Sequence, residues 1–203
     1  MKIKYTITFI LLVLMQFNCS NGPEIKIETK KLITNRSIYL NGGLNANFGG
    51  KSRTVLKIDL PPNTVEWYYS FSTTKGESGT QNLNLAIQLA ALMADSSGLS
   101  SGILSSIKVP EGIASADIYL LDKSNMAKFI AKEDLDLHGE QISYAMEGTA
   151  ESTKQALVRI NDITSGTVYL GLKNPSTLNG ITLNIEVVAI TGSTIEPILV
   201  KTP

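Results

Sequence analysis

Short runs in which apolar and polar residues alternate with a period of two dominate this sequence. Such alternation places every second side chain on one face of an extended strand, which is typical of strands that bury one side. The longest run begins at Ile181 and continues to Ala189. Other runs are Leu56–Leu60, Val65–Phe71, Ala116–Leu121, Lys128–Ala131, Ile142–Met146, Ala156–Ile160 and Val168–Leu172.

Residues that favour turns separate these runs. Pro61-Pro62-Asn63 ends one run, Thr164-Ser165-Gly166 precedes another, and Asn179-Gly180 lies before the last. Most runs follow one another without the intervening helix that parallel pairing requires. We therefore predict an all-β fold, specifically an antiparallel jelly-roll-like β-sandwich with a partly helical insertion.

The aromatic run divides between the two faces of its predicted strand. Trp67 and Tyr69 have the parity of Val65, so we expect them in the core between the sheets. Tyr68 has the opposite parity, together with Glu66. An aromatic platform for a sugar ring is the alternative interpretation, and the parity disfavours it for Trp67 and Tyr69.

Residues 79–109 interrupt the alternation and form the predicted insertion. Within it, residues 82–95 are rich in alanine and leucine, which favours a helix, and Pro110 closes the segment. One face of this helix would carry Leu85, Leu89, Leu92 and Met93. We expect it to pack on its own sandwich, for example over an edge strand, and the alternative is an apolar face offered to a partner.

The N-terminus has the layout of a secretory signal. Lys2 and Lys4 form a short basic region, and the apolar run Ile7–Met15 follows. This run is too short to span a bilayer, and a polar stretch comes directly after it. We therefore predict export from the cytoplasm.

The single cysteine of the chain, Cys19, lies just after the apolar run. In this placement the segment resembles a bacterial lipoprotein signal, although Gln16, Phe17 and Asn18 differ from the residues usual before the cysteine. The resemblance implies that Cys19 becomes the acylated N-terminus and anchors the protein to a membrane of the bacterial envelope, at the outer membrane or the periplasmic face. The alternative is a free thiol that follows an ordinary cleaved signal.

We divide the chain into four segments on these grounds. Residues 1–18 are the signal peptide, 19–34 a tether, 35–190 the β-sandwich and 191–203 a C-terminal tail. Removing the signal also removes two lysines from a chain with 18 basic and 18 acidic residues, which leaves a slightly negative charge. A surface of this kind gives no electrostatic reason to bind nucleic acid.

Several short sequences resemble a known class of secreted domain. The predicted strands WYYSFST and DIYLLD, the glycine-containing loop MEGTAEST, and the strands TVYLGLKNP and ITLNIEVVAI follow one another in this order. They are similar to the β-sandwiches of the bacterial pre-peptidase C-terminal type and more loosely to GOLD-type domains. The likeness covers residues 52–190 apart from the insertion. It implies a non-catalytic sandwich that binds or attaches other molecules, and it assigns no functional residue.

An acidic cluster is the candidate metal site. Asp134, Asp136, His138 and Glu140 have the same parity, so an extended chain would place all four on one side. Because most of these ligands are oxygens, calcium is the ion that we expect for Asp134, Asp136 and Glu140. The alternative is a solvated loop between strands.

A serine hydrolase is a remote alternative. Residues 98–102 match the pattern G-x-S-x-G around Ser100, and His138 is the only histidine that could act as base. The residues before Ser100 do not have the strand pattern that this motif needs, and the segment is simply rich in serine and glycine. We therefore predict no catalytic site.

These observations together predict a non-catalytic binding or assembly module at the cell envelope. Its partners would be the membrane, through the lipid, and an envelope protein. The alternative function is a carbohydrate- or calcium-dependent ligand-binding domain, and calcium is the only cofactor that we consider.

The lipid on Cys19 is directly testable. We expect the wild-type protein to fractionate with bacterial membranes, because two or more acyl chains hold a protein stably on a bilayer. The variant Cys19→Ser should be exported and recovered in the soluble fraction. Mass spectrometry of the mature N-terminus checks this, and an unmodified Cys19 in the wild-type protein would contradict it.

Overall fold

The computed structural model describes residues 24–77, 79–94, 104–133 and 145–195. The chain divides into two compact units, residues 27–192 and a second unit made of residues 1–26 and 193–203. In the second unit, the Ser193 hydroxyl donates a hydrogen bond to the Lys26 carbonyl at 3.5 Å.

The described residues form eight strands and three helices. The strands are β1 Glu24–Leu40, β2 Arg53–Leu60, β3 Thr64–Lys75, β4 Ala116–Leu121, β5 Ala145–Thr153, β6 Gln155–Ile160, β7 Gly166–Lys173 and β8 Ile181–Ile195. The helices are α1 Gly43–Ala46, α2 Leu85–Ala94 and α3 Lys123–Ala131. None of the helices in these ranges is long and apolar enough to cross a membrane.

The strands form two antiparallel four-stranded sheets that pack together. Sheet A has the order β1-β8-β3-β6, and sheet B has the order β2-β7-β4-β5. This order is that of an eight-stranded jelly roll, in which the first and last strands lie side by side. The structure therefore confirms the predicted all-β jelly-roll-like sandwich.

The main core lies between the two sheets and follows the predicted alternation. Every apolar residue at the odd positions from Ile181 to Ala189 of β8 belongs to it. Trp67 and Tyr69 are fully buried there, as predicted. Their polar atoms are satisfied, because Trp67 Nε1 donates to the Ile163 carbonyl at 2.8 Å and the Tyr69 hydroxyl to the Gly148 carbonyl at 2.9 Å.

The sequence-based interpretation of Val65 was wrong, because the side chain is 55% exposed. The register between β3 and β8 shifts between Thr64 and Glu66, and such an irregularity removes Val65 from the inward alternation. Tyr68 does lie away from the main core, as the parity indicated. It is nevertheless fully buried, because the insertion covers it.

The predicted short strand at Lys128–Ala131 was also wrong, because these residues are the end of helix α3. The Asp122 side chain caps the helix by accepting a hydrogen bond from the Asn125 N–H at 2.7 Å. The helix buries Phe129 against Tyr119 on the outer face of sheet B. An alternation over only four residues is weak evidence for a strand, whereas Asp122 is a typical helix-capping residue that the sequence already contained.

The segment MEGTAEST, which we interpreted as a loop, belongs to strand β5. Its register against β4 shifts twice, so the strand lacks regular alternation. A side chain at Gly148 would meet the side chain of Leu120 at 2.4 Å, so this position requires glycine. Gly148 was thus interpreted as a loop residue, although its role is to allow close packing against Leu120.

The insertion contains the predicted helix, α2, and this helix packs on its own sandwich. Leu85, Ala86 and Leu89 are buried against Tyr68 and the β8 residues Val188 and Ile190. These contacts form a second apolar cluster on the outer face of sheet A. The insertion therefore covers the outer face of β3 and β8, which are the two central strands of sheet A. We had suggested that it covers an edge strand.

Two residues of α2 test this packing. Leu89 is fully buried, whereas Ile87 on the same helix is 63% exposed. We expect Leu89→Ala to lower the free energy of unfolding by about 2–5 kcal/mol and Ile87→Ala by less than about 1 kcal/mol. Urea denaturation measures both values, and equal effects would show that α2 does not pack as described.

Candidate binding surfaces

Strand β8 holds the start of the insertion through its outward-facing polar residues. The buried Glu186 carboxylate accepts hydrogen bonds from the backbone N–H groups of Leu85 at 2.8 Å and Ala86 at 3.2 Å. The carboxylate thus caps helix α2 from a neighbouring strand, where the helix dipole favours a negative charge. Thr182 donates to the Gly76 carbonyl, and the Asn184 amide donates to the Gly79 carbonyl at 3.4 Å.

The end of the insertion is also held in place. The Gln88 side chain donates to the Lys108 carbonyl at 3.1 Å and accepts from its N–H at 2.8 Å. The Gln155 side chain accepts from the Gly112 N–H at 3.0 Å. Because α2 and β6 both bind this returning segment, residues 104–112 are positioned against sheet A.

A groove of about 520 Å³ lies between the returning segment and strand β6. One side consists of Leu104, Ile107 and Val109, and Leu157 and Arg159 are on the other. Its volume falls within the range of ordinary ligand pockets, about 300–1,000 Å³, and its lining combines apolar side chains with a few polar groups. We call this feature the β6 groove.

A buried carboxylate fixes the guanidinium of Arg159 beside the β6 groove. Arg159 Nε and Nη2 lie 2.7 Å and 2.6 Å from Glu66 Oε2, and the Tyr68 hydroxyl donates to Oε1 at 2.6 Å. The Glu66 side chain is 7% exposed, whereas that of Arg159 is 36% exposed. The hydrogen bond to Glu66 raises the pKa of Arg159 above its usual value. The solvent-exposed member of this ion pair is therefore the positively charged side chain of Arg159.

The second surface lies where two loops meet at one end of residues 27–192. Residues 41–52 connect β1 to β2, and residues 174–180 connect β7 to β8. The backbone N–H groups of Gly43 and Leu44 donate to carbonyls of the second loop, both at 2.9 Å. A side chain at Gly42 would lie 2.6 Å from the Leu178 backbone, so only glycine allows this close approach.

The buried side chain of Asn174 fastens the same two loops. Its Nδ2 lies 3.1 Å from the carbonyls of Leu40 and Asn41 and 2.8 Å from that of Asn179. Its Oδ1 accepts from the Ser176 N–H at 3.0 Å. Because a buried polar network rigidifies what it connects when its members are satisfied, we expect these loops to hold one conformation.

Three large apolar side chains project from these loops into solvent. Phe48 is 90% exposed, Leu178 is 64% exposed and Leu44 is 52% exposed. The two loops contain no acidic residue, and Lys51 is their only charged residue. We call this surface, made of Leu44, Phe48 and Leu178, the apolar loop end.

The apolar loop end lies far from the points where the chain enters and leaves this unit. Strand β1 runs from Ile27 to Leu40 before the first loop, which corresponds to about 43 Å of extended chain. Strand β8 leaves the second loop at Ile181 and runs in the opposite direction to Gly192. Ile27 and Gly192 are therefore at the other end of the unit from the apolar loop end.

The residues singled out from the sequence lie outside the described residues. These are the lipidation site Cys19, the hydrolase candidates Ser100 and His138, and the metal candidates Asp134, Asp136 and Glu140. Within the ranges that the structure describes, no group of three or more His, Cys, Asp or Glu side chains could hold a metal ion. The calcium site thus stays a prediction.

Sequence reasoning missed both surfaces found here. Phe48 stands in a loop rich in glycine and asparagine, and an isolated aromatic residue in such a loop is a signal that could have been used. Glu66 and Arg159 are 93 positions apart, so no local pattern connects them. Their pairing depends on the alignment of β3 with β6.

The chain matches no protein-family model and no curated protein. A jelly roll hosts many unrelated functions, so the fold by itself specifies none of them. The function must therefore be inferred from the β6 groove and the apolar loop end.

The buried tyrosines of β3 predict a loss of stability at high pH. Burial raises the pKa of Tyr68 and Tyr69 above the ordinary value of 10.0, and the hydrogen bond to Glu66 adds to the effect at Tyr68. Below pH 10 both residues are protonated in the folded and the unfolded chain, so this contribution is fully present. As the pH rises further, the unfolded chain loses these protons first, and the free energy of unfolding falls by up to about 1.4 kcal/mol per pH unit for each tyrosine.

Two measurements check this expectation. Urea denaturation between pH 9 and pH 11.5 should show a steeper decline for the wild-type protein than for the double variant Tyr68→Phe/Tyr69→Phe. Absorbance at 295 nm reports tyrosine ionisation. In the folded protein, Tyr68→Phe and Tyr69→Phe should each leave the amplitude of the titration near pH 10 unchanged, because neither residue ionises there. Ionisation of either residue near pH 10 in the folded protein would contradict the described burial.

Proposed function

We propose that this protein is a non-catalytic binding module of the bacterial envelope, exported and anchored through a lipid on Cys19. Its binding surface in this proposal is the apolar loop end, which engages an envelope protein. The observation that carries the proposal is the exposure of Leu44, Phe48 and Leu178 on two loops that Asn174 fastens together.

The physical argument rests on rigidity combined with exposure. Single exposed apolar residues are common on protein surfaces, whereas grouped ones mark interaction sites. Loops held in one conformation lose little entropy on binding, so more of the contact energy appears as affinity. An aromatic residue that enters a pocket of the partner is a typical hot spot, and Phe48 is suited to that role.

The course of the chain supports the same proposal. The chain enters the described unit at Ile27, within the predicted tether of residues 19–34, and this end of the unit is remote from the apolar loop end. A protein held to a membrane by that tether would leave its apolar loop end free for a partner. The resemblance to pre-peptidase C-terminal domains, which are non-catalytic sandwiches, points to the same class of function.

A comparative pull-down tests the proposal. The tagged, membrane-anchored protein would be cross-linked in cells, with the double variant Phe48→Ser/Leu178→Ser as the test and Val65→Ser/Ile87→Ser as the matched control. All four side chains are more than half exposed, so both variants should fold. We expect the wild type and the control to recover the same envelope protein, and the test variant to recover it at least about 10-fold less efficiently.

The thermal unfolding midpoints of the three proteins should agree, which separates a binding defect from misfolding. The proposal fails if no partner is recovered by the wild type. It also fails if the test variant and the control recover equal amounts of the partner.

A further inference from the structure

The two loops of the apolar loop end each contain an asparagine followed by glycine. These pairs are Asn41-Gly42 in the first loop and Asn179-Gly180 in the second, and the described residues contain no other such pair. We infer that Asn179 is a modification site that deamidates without an enzyme, and that the product places a negative charge on the apolar loop end. The inference concerns the same loops as the proposed function but does not depend on it.

The chemistry of deamidation explains why the glycine matters. The backbone nitrogen of Gly180 attacks Cγ of Asn179 and gives up its proton, and the side-chain nitrogen leaves as ammonia, which closes a succinimide ring. Water then opens the ring at either carbonyl and gives aspartate or isoaspartate, so the net reaction consumes one water and releases one ammonia. Glycine favours the attack because it has no side chain to crowd its own nitrogen.

Packing against β1 fixes glycine at position 180. A Cβ atom at Gly180 would overlap the hydroxyl of Tyr39, which lies near the end of β1. Any other residue at this position would displace the Tyr39 ring or the loop. The glycine that makes Asn179 reactive is therefore required by the way the second loop meets the strand.

The side chain of Asn179 is open to reaction. The residue is exposed, and its side-chain amide makes no hydrogen bond within the described part of the chain. Its hydrogen bonds are made by the backbone, where the N–H donates to Ser176 Oγ at 3.0 Å and the carbonyl accepts from Asn174 Nδ2 at 2.8 Å. The Asn179 side chain can therefore turn towards Gly180 without leaving a protein partner, and water reaches the ring that forms.

The first loop holds its asparagine more closely and provides an internal comparison. Asn41 is half-buried, and its side-chain amide lies against Gly50, where a Cβ atom would overlap it. Its N–H donates to the Lys51 carbonyl at 2.8 Å, and the next residue, Gly42, is buried against the backbone of Leu178. Turning the amide towards Gly42 would break its contact with Gly50. Reaction at this pair therefore requires local opening, whose free energy slows it.

Deamidation at Asn179 changes the apolar loop end in two ways. Both products carry a carboxylate next to Leu178, on loops that otherwise contain no acidic residue. In isoaspartate the main chain runs through the former side chain, so the carbonyl that accepts from Asn174 Nδ2 leaves the peptide bond. The second loop then loses one of the hydrogen bonds that fasten it. We therefore expect the amides of Leu178 and Asn179, which donate to Ser176 Oγ, to exchange faster in the modified protein.

Peptide mapping of the aged protein tests the inference. The mature full chain, made with Cys19→Ser so that it carries no lipid, is kept at 37 °C and pH 8.5, either folded or in 8 M urea. Mass spectrometry after digestion measures the gain of one mass unit at each asparagine, and an isoaspartyl methyltransferase labels the isoaspartate. Hydrogen–deuterium exchange compares residues 176–180 before and after ageing.

In the folded protein we expect Asn179 to deamidate at least about 10-fold faster than Asn41, because only Asn41 requires local opening. In urea the two rates should agree within about 3-fold, since both pairs are then solvated. The variant Asn179→Gln should stop the reaction at this position and the faster exchange after ageing, because the longer side chain closes a larger ring slowly. The matched control Asn41→Gln should leave the rate at Asn179 unchanged, and thermal unfolding before ageing should confirm that both variants fold.

Three outcomes would overturn the inference. The first is an Asn179 that stays intact in the folded protein while both pairs react in urea. The second is reaction of Asn41 as fast as that of Asn179 in the folded protein. The third is unchanged exchange of residues 176–180 after Asn179 has been converted to isoaspartate. None of these measurements involves a partner, so failure of the proposed function would leave the inference standing.

Discussion

Strand β8 is buried on both of its faces, and the arrangement of sheet A depends on this constraint. Its odd-numbered residues from Ile181 to Ala189 fill the main core, whereas Asn184 and Glu186 on the other face bind the start of the insertion. Because a buried carboxylate needs partners, Glu186 requires the N-terminus of α2 as much as the helix requires its cap. The insertion is therefore part of the fold, and its removal would leave the buried Glu186 carboxylate without its two backbone partners.

The covering of the two sheets determines where the protein can still make contacts. Helix α2 covers the centre of sheet A, and α3 covers part of sheet B through Phe129. Among the described residues, the parts left exposed include the edge strand β6 beside the β6 groove and the loops that carry Phe48. The groove combines apolar and polar side chains, whereas the loop surface is almost entirely apolar.

Regular alternation is what made the fold predictable from the sequence. It identified β8 and the inward placement of Trp67 and Tyr69, because each strand there has one regular apolar face. Prediction failed where a local irregularity changed the pattern, as at the register shift beside Val65 and at the packing glycine Gly148. Phe48 in its glycine- and asparagine-rich loop was a local signal for the apolar loop end, whereas the ion pair beside the β6 groove had none, because it joins distant segments. The ion pair of Glu66 with Arg159 forms only after β3 and β6 align.

The pairing of the first and last strands has a consequence for how the chain folds. Ser37 on β1 hydrogen bonds to Asn184 on β8, a separation of 147 residues, and Asn174 binds Leu40 across 134 residues. Contacts between such distant residues give a high contact order and slow folding. Sheet A cannot close until β8 has been synthesised. Strand β1, near the start of the chain, therefore has no partner strand in sheet A until the last strand is present.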